Sequence, residues 1–388
     1  LVIANATGTP SQPKPPPPPS PARASLESFD LVRPTGCSSI WGASNPSFPY
    51  TTNARGEGPA WANSLFEDNA EFGLGMRRAF KQRRDALMIH VDDALEDAEV
   101  PVSDKLRKLL TQFSVMRHED KADMLLPKGK SFYNELKYKI LPLLLEEAGN
   151  HWKLQRLADQ KDIFGRNSHW IIGGDGWAYD IGFGGLDHVL ASEEHVHILC
   201  LDTEMYSNTG GQASKSTPRG AFAKFAESGK LTAKKDLGQY AMTYKNVYVA
   251  SICVHVNHSQ AIKAINEAEA YPGPSLIIAY SPCISHGFPM AESIDHCKQA
   301  VESGYWPLYR YNPQLRKDGN NPFQLDSKKV TGDLFKFLAH ENRFAAIMRR
   351  DPALAEGHQA RLKQQVVDRA AALNVLSADQ LPASLQAA

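Results

Sequence analysis

The spacing of apolar positions predicts a helical first part of the globular chain. Apolar residues recur with helical periodicity in four stretches. These stretches span approximately residues 72–95, 104–117, 131–148 and 152–161. Pro101 and Ser103 lie where a helix should break and a new N-cap should begin. Pro142 lies inside the third stretch and is expected to kink or split that helix.

The central part of the chain alternates short apolar runs with helical patterns. We expect strands at residues 169–173, 195–201, 247–255 and 275–280, and helices at 180–191 and 259–270. Strands that alternate with helices predict an α/β fold, in which a mainly parallel sheet carries helices on both faces. Ligands of such sheets bind at the carboxyl ends of the strands.

The two ends of the chain differ from the centre in composition and in predicted structure. Eight of the 25 prolines lie between Pro10 and Pro21, which predicts an extended linker or disordered insertion after a partial strand. Residues 37–69 are rich in Gly, Pro, Ser and aromatic residues, so we expect a long irregular loop there. Residues 330–388 have a pattern that predicts helices. The predicted division is an N-terminal arm at 1–36, a domain at 37–330 and a helical appendage at 331–388.

Composition excludes several classes of protein. Lys and Arg together number 43, as do Asp and Glu, so the balanced charge gives no reason to expect a nucleic acid or an anionic membrane surface as partner. The apolar runs are too short to span a bilayer. Five widely spaced cysteines indicate a reduced intracellular setting rather than a disulfide framework. The first residue is Leu, so we expect the chain to be part of a longer protein.

The segment from Gly173 to Ser192 contains the first candidate site residue. Asp175 lies between Gly174 and Gly176, at the end of a predicted strand, where glycines allow a sharp turn and a close approach of a ligand. A carboxylate at this position suits Mg²⁺, which prefers oxygen ligands and often bridges diphosphate oxygens. The following glycines do not have the spacing of a dinucleotide fingerprint, which argues against a nicotinamide-dependent dehydrogenase.

A second polar segment follows the next predicted strand. It supplies Asp202, Thr203 and Asn208 near the same edge of the sheet. Asp175 and Thr203 are 28 positions apart, the length of one strand–helix–strand excursion. Both side chains can therefore reach one metal ion.

The amino-acid sequences of these two segments resemble those of a known family. GDGWAYDIGFGGLDHVLAS at residues 174–192 and DTEMYSNTGGQASKSTP at 202–218 are similar to the C-terminal thiamine diphosphate-binding domain of pyruvate:ferredoxin oxidoreductases. The likeness extends over about residues 37–313. It implies the thiamine diphosphate-binding fold and the oxidation of pyruvate with coenzyme A to acetyl-CoA and CO₂. It also implies ferredoxin or flavodoxin as electron acceptor, a homodimer, and further domains of the same polypeptide.

The resemblance also implies roles for individual residues. Asp175 and Thr203 would bind Mg²⁺ through their side chains and Met205 through its carbonyl, with Gly174 and Gly176 beside the cofactor. Asn208 would lie near the reactive thiazolium ring as a catalytic residue.

Two cysteines match family positions for the ligands of a [4Fe–4S] cluster. These are Cys37 and Cys283, two of the four thiolates that such a cluster needs. The other two would lie upstream of Leu1. Cys200, Cys253 and Cys297 are expected to be inert.

Several alternatives stay open at this point. They are a pyruvate:NADP⁺ oxidoreductase, a non-catalytic thiamine-binding module, and a thiamine enzyme without iron–sulfur chemistry. In the family an N-terminal domain supplies the Glu that tautomerises the cofactor, so we expect the isolated chain to bind thiamine diphosphate weakly and not to oxidise pyruvate. An anaerobic cytosol, a plastid and a hydrogenosome-like organelle all fit. Residues 9–36 are either a translated intron or a surface insertion.

Overall fold

The computed structural model describes residues 28–34, 59–64, 68–116, 131–327 and 329–378, and residues 28–34 by their backbone alone. Contacts divide these residues into two compact units. The first unit comprises residues 28–32, 59–63 and 75–170, and the second comprises 33–34, 64–74 and 171–378. The three-part division into 1–36, 37–330 and 331–388 stays a prediction.

The first unit contains most of the helices predicted for the first half of the chain. Its elements are β1 (Ser28–Pro34), β2 (Pro59–Ser64), α1 (Asn69–Glu96), α2 (Asp104–Val115), α3 (Phe132–Glu147) and α4 (Trp152–Asp159), of which residues 33–34, 64 and 69–74 belong to the other unit. Ser103 caps α2, since its side chain accepts a hydrogen bond from the backbone N–H of Leu106 at 3.3 Å. The buried ring of Phe113 packs against Tyr133 and Phe164, which joins α2 to α3 and to the segment after α4.

Two expectations for this part of the chain need correction. Helix α3 is not split at Pro142, and it runs on for five further residues, while a kink there stays a prediction. Ile140, Leu141 and Leu144 are buried on the same helix, so packing outweighs the one backbone hydrogen bond that proline removes. The expected irregular loop also contains a strand, β2, whose neighbour is β1. Strand pairing with a distant segment leaves no periodic signal within the loop itself.

The second unit contains the predicted strand–helix alternation. In chain order its elements are β3 (Asn167–Gly174), α5 (Phe183–Ala191), β4 (His197–Asp202), α6 (Leu237–Met242), β5 (Tyr248–Ile252), α7 (His258–Ala270), β6 (Ser275–Tyr280), α8 (Ser293–Glu302), β7 (Tyr309–Tyr311), β8 (Phe323–Leu325), α9 (Leu334–His340), α10 (Asn342–Arg350) and α11 (Pro352–Ser377). The first residues of β3 belong to the other unit. The helical C-terminal tail is confirmed by α9, α10 and α11.

The strands of this unit form a mainly parallel sheet, as predicted. Their order is β3-β4-β6-β5-β7-β8. Strand β6 pairs in parallel with β4 and β5, and Ser275 lies opposite both His197 and Tyr248. Every residue of β5 and β6 is buried, as expected for central strands covered on both faces. Strands β7 and β8 add an antiparallel edge that the sequence did not indicate.

The connection after β3 differs from the predicted helix at 180–191. Residues Gly176–Ile181 form a single π-helical turn, and α5 begins only at Phe183. Such turns are rare and often occur at functional sites. None of the helices in the described part of the chain has both the length and the apolar character needed to cross a membrane.

Candidate active site

The two residues predicted to share a metal ion meet at the carboxyl ends of β3 and β4. Asp175 follows β3 directly, and Thr203 follows β4. The Thr203 hydroxyl donates a hydrogen bond to Asp175 Oδ1 at 2.8 Å, and the Thr203 backbone N–H donates to the same oxygen at 3.1 Å. The strand–helix–strand excursion therefore brings the two side chains into direct contact.

Met205 contributes a third oxygen to the same place. Its carbonyl oxygen lies 3.0 Å from Thr203 Oγ1. Oxygen ligands at about 2.1 Å from Mg²⁺ in an octahedron are about 3.0 Å apart. The spacings from Thr203 Oγ1 to Asp175 Oδ1 and to Met205 O thus match those of adjacent magnesium ligands, so this set of oxygens fits the ion.

The surroundings of Asp175 favour a bound cation. Its side chain is completely buried, and its second oxygen accepts a hydrogen bond from Ser214 Oγ at 2.6 Å. Burial, followed by the charge of Asp202, raises the pKa of Asp175 to about 8, against the opposing effect of its hydrogen bonds. A buried carboxylate in this situation is stabilised by a nearby positive ion.

Asp202, although close in sequence, is directed elsewhere. Its oxygens accept hydrogen bonds from Tyr179 at 2.8 Å, from Ser216 at 2.5 Å and from Lys234 at 2.8 Å. The carboxylate is fully buried and satisfied by these donors. It fixes the segment around the candidate site rather than adding a ligand to it.

Glu204 is the main residue that sequence reasoning missed. It lies between Thr203 and Met205 with a φ of 59°, in the left-handed region. Its buried carboxylate accepts hydrogen bonds from Lys234 at 2.9 Å, from Tyr305 at 2.7 Å and from Arg343 at 2.6 Å. These partners are distant in the sequence, so no local sequence pattern predicts them.

The remaining residues predicted to contact the cofactor lie around this turn. Gly174 and Gly176 flank Asp175, and neither has a positive φ. A Cβ at Gly174 would meet only Leu201 O at 3.9 Å, whereas a Cβ at Gly176 would lie 2.4 Å from the ring of Tyr206. Asn208 is exposed on the turn three residues after Met205. Its catalytic role stays a prediction.

Cys283, a predicted cluster ligand, lies beside the same turn. Its Sγ is 2.9 Å from Ser207 Oγ, and Ser207 Oγ in turn donates to Thr203 Oγ1 at 3.2 Å. The thiol is therefore only two hydrogen bonds away from a candidate magnesium ligand. Cys37 lies outside the described residues, so its position relative to Cys283 is a prediction.

The other three cysteines are buried in the fold, as expected for inert thiols. Burial, together with Asp202, raises the pKa of Cys200 well above its usual range. A hydrogen bond with Cys297, together with burial, raises the pKa of Cys253. Both effects disfavour the thiolate that a metal or cluster needs.

Comparison with known proteins supports the family resemblance. Residues 161–279 match the family of thiamine pyrophosphate enzymes, C-terminal TPP binding domain. The matched range contains β3, β4 and the three converging oxygens.

Longer similarity extends over most of the chain. The chain is 52% identical over 328 residues to pyruvate:ferredoxin oxidoreductase of Moorella thermoacetica, and the match covers 84% of this chain and 27% of that protein. It is 48% identical over 352 residues to pyruvate-flavodoxin oxidoreductase of Klebsiella pneumoniae, covering 90% of this chain and 29% of that protein. The chain is 47% identical over 372 residues to pyruvate dehydrogenase [NADP(+)] of Cryptosporidium parvum, and the match covers 87% of this chain and 19% of that protein.

A solved structure of 2-oxoglutarate:ferredoxin oxidoreductase from Magnetococcus marinus matches 67% of this chain and 58% of that chain. Its sequence identity is 15% and its TM-score is 0.36. The chain spans between about a fifth and three tenths of the length of the three oxidoreductases described above. Most of the chain is therefore similar in sequence to part of the pyruvate:ferredoxin and pyruvate-flavodoxin oxidoreductases, and residues 161–279 match the thiamine pyrophosphate enzyme C-terminal domain, in agreement with the sequence resemblance.

Proposed function

We propose that the chain binds Mg²⁺–thiamine diphosphate at the carboxyl ends of β3 and β4 and forms this part of a pyruvate oxidoreductase. The reaction would convert pyruvate and coenzyme A to acetyl-CoA and CO₂, with ferredoxin or flavodoxin as the electron acceptor. The observation that carries the proposal is the convergence of oxygens from Asp175, Thr203 and Met205 with the spacings that magnesium requires.

The residues of the site have separate tasks in this proposal. Bound thiamine diphosphate would supply an electron sink for the acyl carbon from which CO₂ departs. Asp175, Thr203 and Met205 would hold Mg²⁺ and thereby anchor the diphosphate. The Ser214 hydroxyl fixes the orientation of the Asp175 carboxylate, so little rearrangement is needed on binding. The exposed amide of Asn208 would face the reacting end of the cofactor.

Cys283 would serve the electron-transfer part of the reaction. Together with Cys37, it would supply two of the four thiolates of a [4Fe–4S] cluster. The contact with Ser207, which also contacts Thr203, supports a cluster close to the magnesium site. The rest of the same polypeptide would supply the remaining ligands and much of the pyruvate pocket, and the assembled enzyme would be a homodimer.

A second candidate differs only in the electron acceptor. The chain is 47% and 48% identical to pyruvate dehydrogenases [NADP(+)] from Cryptosporidium parvum and Euglena gracilis. These values are close to those for the ferredoxin- and flavodoxin-dependent relatives. The same site would serve either enzyme, because the acceptor enters after decarboxylation.

The test is calorimetric titration of the chain with thiamine diphosphate in the presence of Mg²⁺. We expect saturable binding that EDTA abolishes, and at least a tenfold loss of affinity in Asp175→Asn and in Thr203→Val. The control is Asp187→Asn, which removes a carboxylate bonded to Tyr240 from the same stretch of chain. We expect its affinity to be unchanged.

Two outcomes would contradict the proposal. One is binding of the same strength in EDTA, which would show that the oxygens do not act through a cation. The other is unchanged binding in Asp175→Asn, provided that the variant is folded by circular dichroism. The non-catalytic alternative predicts binding too, so pyruvate-dependent acetyl-CoA formation by the native holoenzyme separates it from the proposal.

A further inference from the structure

A network of ionisable side chains, most of them buried, lies next to the turn that carries the candidate magnesium ligands. We call it the charge network and define it as Glu204, Lys234, His286, Glu341 and Arg343. Arg343 is 2% exposed, and Glu204, His286 and Glu341 are completely buried. Charges are seldom buried to this extent unless they are paired and hydrogen-bonded.

Arg343 connects the C-terminal helices to this turn. Its Nη2 donates to Glu204 Oε2 at 2.6 Å, and its Nε donates to Glu341 Oε2 at 2.7 Å. Arg343 belongs to α10 and lies 139 positions after Glu204 in the sequence. Lys234 completes the pairing by donating to Glu204 Oε1 at 2.9 Å. The side chain of Glu204 is thus held at both oxygens.

The network also reaches the backbone of Thr203. His286 Nε2 lies 2.8 Å from the Thr203 carbonyl oxygen and bonds to it, while His286 Nδ1 faces Glu341 Oε1 at 3.3 Å. The peptide between Thr203 and Glu204 is therefore held through its carbonyl and through the next side chain. Both restraints lead back to the residues at 341–343.

The conformation held in this way is an uncommon one. A left-handed φ at a glutamate persists only where surrounding contacts impose it. The chain bends at this residue, and the threonine hydroxyl and the methionine carbonyl come within 3.0 Å of each other. An extended φ at this residue would separate the two oxygens.

We propose that Arg343 and Glu341 are positioning residues for the magnesium site, acting through Glu204 and His286 on the turn that carries Thr203 and Met205. The inference rests on the proposed function and deepens it. The C-terminal helices are on this view a structural part of the cation site, although none of their residues is a ligand.

A group of possible metal ligands overlaps the charge network, but its carboxylate is already paired without a metal ion. Ligand atoms of His286, His296 and Glu341 lie within 4.8 Å of one another, which is close enough to hold one. However, the guanidinium of Arg343 already neutralises Glu341 at 2.7 Å. His296 Nε2, at 2.8 Å, is placed to donate a hydrogen bond to the other Glu341 oxygen.

The experiment measures the affinity of the chain for Mn²⁺ by electron paramagnetic resonance of the free ion, below the unfolding temperature of each variant. Arg343→Met removes the charge while keeping a side chain of similar length. We expect its Mn²⁺ affinity to fall at least fivefold, and Arg343→Lys to recover part of the loss. Arg349→Met changes an exposed arginine of the same helix and should bind as the wild type does.

A destabilised control separates positioning from general loss of structure. Arg310 lies on β7, and Arg310→Met breaks its ion pair with Asp326, which should lower the unfolding temperature without changing the affinity for Mn²⁺. If Arg343→Met does not fold, Glu204→Gln serves in its place, because it keeps the side-chain size and loses the charge. We expect it too to bind Mn²⁺ at least fivefold more weakly.

The outcomes distinguish this inference from the proposed function. Wild-type affinity in folded Arg343→Met, or in Glu204→Gln where that variant replaces it, would overturn the inference alone, provided that Asp175→Asn still abolishes binding. An equal loss in Arg310→Met would also overturn it, since any destabilisation would then suffice. If Asp175→Asn binds Mn²⁺ as tightly as the wild type, the magnesium site itself is refuted.

Discussion

The close contact between Gly176 and Tyr206 makes a methyl group at this position costly. An added Cβ would lie 2.4 and 2.5 Å from two ring atoms of Tyr206 and 3.1 Å from a third. The ring would have to move by about 1 Å to reach ordinary van der Waals distance, and overpacking of this kind costs about 1–3 kcal/mol. Gly176→Ala is therefore expected to lower the free energy of unfolding by this amount.

Gly184 provides a matched control eight residues further along the chain. It lies in the first turn of α5, and an added Cβ would meet nothing within 4 Å. Alanine is favoured over glycine within a helix by about 0.5–1 kcal/mol. The same substitution should therefore stabilise the chain at Gly184 and destabilise it at Gly176.

Thermal unfolding followed by circular dichroism measures both changes. For a domain of this size, 1 kcal/mol shifts the midpoint by about 2–4 °C, so we expect a loss of about 2–12 °C for Gly176→Ala and a gain of about 1–4 °C for Gly184→Ala. Tyr206 follows Met205 directly, so Gly176→Ala should also weaken Mn²⁺ binding. A Gly176→Ala midpoint equal to that of the wild type would refute the reasoning, as would a lowered midpoint in Gly184→Ala.

Two further predictions concern charged side chains. Burial, and then the charge of Lys215, lower the pKa of Lys235 to about 8, so acetylation followed by mass spectrometry should give Lys235 a midpoint near pH 8. Lys215→Met removes a repelling charge and should raise that midpoint; an unchanged value would contradict the assignment. Arg310 pairs with Asp326 at 2.9 Å and with Glu267 at 2.7 Å, and its side chain is 7% exposed. Arg310→Met removes the cation paired with Asp326 and leaves Glu267 with Lys263 at 3.9 Å. It should cost about 3–5 kcal/mol in urea unfolding, whereas a loss below about 1 kcal/mol would refute a structural role for Arg310.

The central sheet could be predicted because its signals are local. Strand β6 has the predicted bounds, Ser275–Tyr280, since a fully buried strand is a continuous apolar run. Strands β7 and β8 are three residues long, too short for any periodicity to appear. The π-helical turn at Gly176–Ile181 has no sequence signal for a related reason, because one extra residue in a turn leaves the apolar pattern almost unchanged.

The candidate ligands could be predicted, but the residues that hold them could not. Asp175 and Thr203 each follow a strand directly, and parallel topology places such positions at the same edge of the sheet. Glu204 is a single acidic residue in a polar loop, and its partners Tyr305 and Arg343 lie 101 and 139 positions later. A buried ion pair of this kind depends on three-dimensional packing and has no signature along the chain.

The C-terminal helices illustrate the same limit. Their alternating charges predict either packing against the domain or an appendage beginning at residue 331, and the pattern does not distinguish the two. In the structure Phe337, Phe344 and Leu362 belong to one buried apolar cluster that also contains Ile278 of the central strand β6. A boundary at residue 330 would separate Glu204 from the guanidinium of Arg343 and leave the buried carboxylate with one cation, Lys234, among the described residues. Because an unpaired buried charge is costly, the helices and the turn between Thr203 and Met205 are stabilised together.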